Sequence, residues 1–257
     1  MTRAIRPTTR RGLTVFALPL LLAVAVLTRL SGLGGAVTED EDQWMARAGN
    51  AASGLISGDR GRTYQTGHPG VLPMGLITLS LGVERTAELS SRGRPDFVVT
   101  ALPHFLVDLY QARIPFLLLG AGLCALVAAL VWRLSSPGVG LLAGSLLVTD
   151  PYWAAMSPVV GMDGLLAGFL AISLLALLLG MKSPHHGLLW ISLSGLAWGL
   201  AALTKTSALY MLPALLLCAL LARFSASSPL SLQRRPPLPL GEGGGEGRAA
   251  ASDLPPA

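Results

Sequence analysis

Charge is scarce in this chain. Asp, Glu, Lys and Arg make up 13% of its 257 residues, where an ordinary soluble domain carries roughly 25%. The shortage is concentrated in long apolar runs, and the mean hydropathy is +0.59. Together these exclude a typical soluble globule and point to an integral membrane protein. Cysteine is also scarce: Cys124 and Cys218 are the only two, and both sit inside apolar runs. That argues against a disulfide framework or a thiolate metal site and for small buried or lipid-facing side chains. The net charge of +5 comes from basic residues scattered along the chain without interleaved aromatics, which excludes a nucleic-acid surface. Several catalytic signatures are missing: a phosphate-cradling GxxxxGK(S/T), a GxGxxG after a strand, HExxH and a nucleophile elbow. No internal repeat suggests the inverted halves of a transporter.

What is present is a series of apolar runs: Leu13–Leu30, Ile114–Trp132, Leu134–Thr149, Gly164–Met181, Gly187–Thr204 and Thr206–Ala222. Each approaches the length needed to cross a ~30 Å hydrocarbon core as helix. Only helices or closed barrels satisfy the backbone in lipid, and unbroken apolar runs mean helices. The expected fold is therefore all-α, a polytopic bundle of about six spans. The first run follows Arg3, Arg6, Arg10 and Arg11. A cleaved signal peptide has the same layout, but the exit SGLGGAV matches a cleavage site only loosely, so an uncleaved span is the better reading. The expected organisation is a basic cytoplasmic segment 1–12, a membrane domain 13–222 with a long first loop 31–112, and a Pro/Gly-rich tail 223–257. The tail is too poor in core residues to fold. It follows the last run directly, which fits a piece of a longer membrane protein. Within the long loop, Asp40–Leu55 has helical spacing with Trp44, Ala48 and Ala51 on one side. This reads as an interfacial helix with Trp44 at headgroup depth. Gly70–Gly82 is a short apolar patch of interfacial or re-entrant length.

Charge then orients the bundle. With the N-terminus in the cytoplasm, the short inner pieces carry Arg133, Lys182 and Arg223 besides the N-terminal arginines, and no acid. Every acid except Glu242, Glu246 and Asp253 of the tail falls outside. This follows the positive-inside rule and describes a multi-pass cell-membrane protein.

The residues able to carry chemistry gather on that outer side. Glu39, Asp40, Glu41 and Asp42 form an unbroken acidic run. A carboxylate there, next to Trp44, could take a proton from a hydroxyl nucleophile; equally, acids suit the first turn of a helix. Lys205 interrupts an apolar stretch and could hold a lipid phosphate, or could be a turn lysine that snorkels to the interface. Asp150-Pro151 and Asp163 share one short loop, where Asp163 could simply cap the next helix. His68-Pro69-Gly70 opens the apolar patch. Arg113-Ile114-Pro115 opens the second span, with proline at an ordinary helix start and Arg113 a possible interfacial anchor. His185 and His186 lie in a cytoplasmic loop, away from the acids.

In this order and on one topological side, Asp40-Glu41-x-x-Trp44, His68-Pro69-Gly70, Arg113-Ile114-Pro115, Asp150-Pro151, Asp163 and Leu203-Thr204-Lys205 resemble the N-terminal part of the membrane-embedded GT-C glycosyltransferases. The protein O-mannosyltransferase-like and aminoarabinose-transferase-like enzymes are the most similar branch, and the resemblance covers about residues 13–222. It implies a polyprenyl-phosphate-linked sugar donor and transfer to a hydroxyl of a lipid, glycan or protein acceptor on the outer face. It implies Asp40 as the catalytic carboxylate, with Glu41 next to it and the register within residues 39–42 open. Lys205 and Arg113 would bind the donor phosphate, while Trp44, His68 and Asp163 would contact substrate. No cofactor is implied, and a divalent cation is possible without being indicated. In two places the pattern differs: Gly70 stands where many relatives have a second proline, and Thr206-Ser207 follows Lys205 where Gly or Pro is common. Relatives also have further spans, so the resemblance implies a piece of a longer enzyme. Two other classes compete. A permease or channel fragment would line a pathway with Lys205 and Asp163, but would place them near the midplane of broken helices. A non-catalytic scaffold would need no acids against the membrane.

Overall fold

The computed structural model of the chain describes residues 7–64, 67–91 and 102–227, and these form helices, turns and no strand. The arginines within residues 1–6 and the Pro/Gly-rich tail from 228 onward lie outside the described residues. The chain up to Ala219 forms one compact unit. It is a bundle of membrane-type helices with amphipathic helices at one end. Its elements are α1 Pro7–Leu30, α2 Glu39–Ser57, α3 Val71–Leu81, α4 Val83–Ser91, α5 Leu102–Leu134, α6 Pro137–Thr149, α7 Pro151–Met156, α8 Asp163–Lys182, α9 Gly187–Thr204 and α10 Leu212–Ser227. Among the described residues, three helices are long and apolar enough to cross a membrane, Pro103–Leu134, Asp163–Lys182 and Gly187–Thr204. Shorter apolar helices run over Phe16–Leu30, Val71–Leu81, Pro137–Thr149 and Thr206–Leu221.

α5 is the axis of the bundle: α1, α3, α6 and α8 all pack on it. Close approach is achieved with small residues, since apolar association gains little in lipid and packing must supply the attraction. Gly168 of α8 faces Leu123 of α5, and Gly140 of α6 faces Ala128 and Trp132. α8 and α9 form a tight hairpin in which Gly180 meets Gly187 and Ile191. Ser173 and Ser194 bridge these two helices at 3.2 Å. Leu20, Leu142, Leu188 and Leu196 are exposed, as expected of side chains facing lipid rather than water.

Four details differ from the sequence-based expectations. First, α5 has 33 residues, about 50 Å at helical rise, and starts well before Ile114. Asp108 and Arg113 break the apolar run but not the helix, because each has an ionic partner, Arg85 and Glu41 respectively. Pro115 consequently lies inside a helix rather than at its start, at the cost of one ladder hydrogen bond. Second, the run 206–222 is not one helix. A 3-10 turn over Thr206–Met211 precedes α10. Third, Asp163 is the first residue of α8, and its N-cap is Met162, which makes no side-chain cap bond. Fourth, Trp44 is 1% exposed. It belongs to the main apolar core with Met45, Ala48, Met74 and Ile77 and does not face lipid. α2 is covered by α3 and α4, so its apolar face meets protein instead of lipid.

Candidate functional site

The C-terminal end of α1, the start of α2, the N-terminal part of α5, α7, the start of α8 and the end of α9 all lie at the same end of the bundle, because consecutive long helices alternate in direction. All the candidate residues are therefore gathered at one end.

The acidic run becomes the first turn of α2. Thr38 caps it in a capping box: its hydroxyl accepts from the Glu41 N–H, and its own N–H donates to Glu41 Oε2 at 3.0 Å. Each acid then meets a different environment. Glu41 is fully buried, whereas Glu39 and Asp40 are exposed. Arg113 reaches Glu41 as a fork, Nε to Oε1 at 2.7 Å and Nη2 to Oε2 at 2.6 Å. The Val160 N–H adds a third bond, to Oε1 at 3.0 Å. Burial alone would raise the Glu41 pKa, but the hydrogen bonds from Arg113, Thr38 and Val160, with the Arg113 charge, hold it below the ordinary carboxylate value.

The remaining donors of Arg113 go to backbone. Nη1 donates to Leu33 O at 2.8 Å, Gly35 O at 3.1 Å and Gly32 O at 3.3 Å, and Nη2 to Ala36 O at 2.9 Å. A guanidinium has five N–H groups, and every one is taken. Glu41 and Arg113 thus close on each other; neither lines the cavity that Asp40 faces, and Arg113 borders a separate one beside Gly32, Ala36 and Pro151. What they do is fix three segments together: the loop after α1, the cap of α2 and the Val160 loop.

Asp40, one residue from Glu41, points elsewhere. It lines a cavity of about 210 Å³ together with Phe116 of α5, Tyr152, Trp153 and Met156 of α7, Ser157, Gly161 and Asp163. Asp163 is bridged by Lys205, Nζ to Oδ1 at 2.7 Å. The lysine is 25% and the aspartate 69% exposed. A pair this open is worth at most about 1 kcal/mol, so a competing anion could replace the aspartate. Asp150 acts as a cap: it ends α6 and starts α7, accepting from the Trp153 N–H at 2.6 Å.

His68-Pro69-Gly70 proves to be a dock for the lysine segment. His68 Nδ1 shares a hydrogen bond with Thr206 Oγ1 at 3.0 Å, and the Gly70 N–H donates to Thr204 O at 3.3 Å. The two contacts fix the residues on either side of Lys205. Gly70 has φ +55°, and a Cβ there would collide with the Trp44 ring. A proline, confined to φ near −65°, fits neither that backbone nor that contact. The glycine, the buried Trp44 and the dock are therefore one packing unit. His68 and Trp44 reach the Lys205 segment and the core respectively, and neither lines the cavity.

A family model described as dolichyl-phosphate-mannose-protein mannosyltransferase matches residues 99–232. The chain belongs to that family. The matched part of this mannosyltransferase-family chain holds α5 to α10, with Arg113, Asp163 and Lys205, while Asp40, Glu41, Trp44 and His68 precede it. No curated protein and no solved structure matches the chain. Family membership makes it a membrane glycosyltransferase that uses a lipid-linked sugar donor.

Sequence reasoning passed over Ser157, which lines the cavity, and its hydrogen-bond partner Arg29. The available signal was a lone arginine near the end of the first apolar run, an expensive place for a charge.

Proposed function

We propose that the chain transfers a sugar from a polyprenyl-phosphate-linked donor to an acceptor hydroxyl, in the cavity lined by Asp40 and Asp163 and on the extracytoplasmic side of the membrane. The observation that carries this reading is that an exposed carboxylate, Asp40, and Asp163, the partner of Lys205 in a weak ion pair, line one cavity at the end of a membrane bundle. The absence of acids from the short basic loops supports a cytoplasmic N-terminus, and hence an outward-facing site.

In this reaction Asp40 accepts the proton of the acceptor hydroxyl. The hydroxyl oxygen attacks the anomeric carbon in line with the bond to the donor phosphate. That bond breaks, and its electron pair leaves with the phosphate oxygen. Lys205 exchanges Asp163 for the phosphate and stabilises the charge that builds on it. Phe116, Tyr152 and Trp153 supply the apolar wall against which a sugar ring or the first isoprene units could pack. Glu41 and Arg113 serve as the frame that aims Asp40, instead of as direct reactants. The permease reading is disfavoured because the ionisable residues sit at one end of the helices and not at mid-span.

Lys205→Ala should raise the donor KM about tenfold, the loss expected for one hydrogen bond to a charged group. Lys205→Arg should recover part of it. The measurement is initial-rate transfer in membranes at varied donor concentration. A donor KM unchanged in Lys205→Ala would remove the phosphate role.

A further inference from the structure

Arg29, near the end of α1, is fully buried. Unlike Arg113, it has no carboxylate: among the described residues its partners are all neutral. Nε donates to Ser157 Oγ at 2.6 Å, Nη2 to Cys124 Sγ at 3.2 Å, and Nη1 to Ala25 O at 2.9 Å and Thr28 Oγ1 at 3.3 Å. A buried cation without a counter-charge is costly, and its presence calls for an anion nearby. The route to one runs through Ser157. This serine is 6% exposed and lines the cavity shared by Asp40 and Asp163. Its oxygen is occupied as the acceptor from Arg29, and among the described residues its hydroxyl proton has no acceptor. It is held firmly in place. A Cβ on Gly120 would approach Ser157 Cβ to 2.8 Å, so α5 leaves this residue little room to turn away. A hydroxyl whose oxygen accepts from a guanidinium is polarised into a better donor.

We infer that Ser157 is an anion-binding hydroxyl in the cavity wall that donates to an oxygen of the donor's lipid-linked phosphate, with Arg29 as the positioning residue acting through it. This assignment rests on the glycosyl-transfer reading of the cavity. It adds a phosphate contact to the one proposed for Lys205 and gives the charged side chain in the first apolar helix a role.

The test is equilibrium binding to the purified full chain in lipid nanodiscs, with three probes: a polyprenyl phosphate, the uncharged polyprenol of the same length, and inorganic phosphate. Wild type should bind the polyprenyl phosphate more tightly than either other probe. Ser157→Ala should weaken polyprenyl phosphate binding about tenfold and leave polyprenol binding unchanged, a split that a general loss of packing would not produce. Ser157→Thr, which keeps the hydroxyl, should retain most of the preference. If Ser157→Ala keeps the full preference for the phosphate, the Ser157 assignment falls while the transfer reading stands. If wild type binds phosphate and polyprenol lipids equally, the transfer reading falls and takes the assignment with it. Inorganic phosphate bound as tightly as the lipid phosphate would overturn the lipid source.

Discussion

Asp40→Asn should lower kcat for sugar transfer by about 10²–10⁴, the range that a positioned general base supplies, while membrane insertion and thermal midpoint stay near wild type. The separation is expected because Asp40 is exposed and contributes no packing. An amide has almost the same shape as the carboxylate but cannot take the proton. Glu39→Gln is the matched control: Glu39 is exposed in the same helical turn and does not line the cavity, so it should transfer at close to the wild-type rate. Asp40 and Glu39 exchanging these outcomes would move the base by one residue. Wild-type rates in both variants would remove the acidic run from the chemistry.

The second large effect is on stability. Glu41→Gln or Arg113→Leu leaves one member of a buried pair without its counter-charge, and such breaks cost about 3–5 kcal/mol. Arg113→Lys should be little better, because an ammonium cannot reproduce a fork that spans both carboxylate oxygens and four carbonyls. Each variant should show a lowered thermal midpoint in detergent together with reduced transfer, since the Val160 loop loses its anchor. The pH dependence follows from the same contacts. The Glu41 pKa is lowered in the folded state from a reference of 4.5. A carboxylate with a depressed folded value adds stability above its unfolded pKa and loses it as pH falls through the folded one. The gap in thermal midpoint between wild type and Glu41→Gln should therefore be full at neutral pH and shrink below about pH 4.5. A gap that does not change with pH would mean that Glu41 is not held ionised by Arg113.

The helices were legible in the sequence because lipid forces a simple rule on the chain: an apolar run of sufficient length must be helix. The span Gly187–Thr204 has the limits expected, and the patch after Gly70 is α3. What periodicity and composition could not show is where polar residues find partners. Arg113 and Asp108 looked like the edge of a span, yet α5 passes through both, because Glu41 and Arg85 wait for them from distant parts of the chain. Trp44 looked like an interfacial anchor for the same reason: nothing local reveals that α3 and α4 fold over α2. The order of motifs pointed to residues that the fold gathers at one end of the bundle, of which Asp40 and Asp163 line the cavity, without distinguishing their tasks. Among four adjacent acids, one is buried against an arginine and another lines the cavity, and the sequence contains no local mark separating Asp40 from Glu41. Gly70 was visible as a departure from the family pattern. Its cause, a left-handed backbone beneath the Trp44 ring, is a tertiary fact.

The central claim is that the cavity between α2, α7 and α8 receives the phosphate end of a polyprenyl lipid. It is tested most directly by photo-crosslinking the full chain in membranes with a polyprenyl phosphate carrying a diazirine on its first isoprene unit, followed by mass-spectrometric mapping. Label on peptides covering residues 150–167, in excess over that given by the matching polyprenol, is the result predicted. Label confined to the lipid-exposed faces of α1 and α9, and equal for the two lipids, would contradict it.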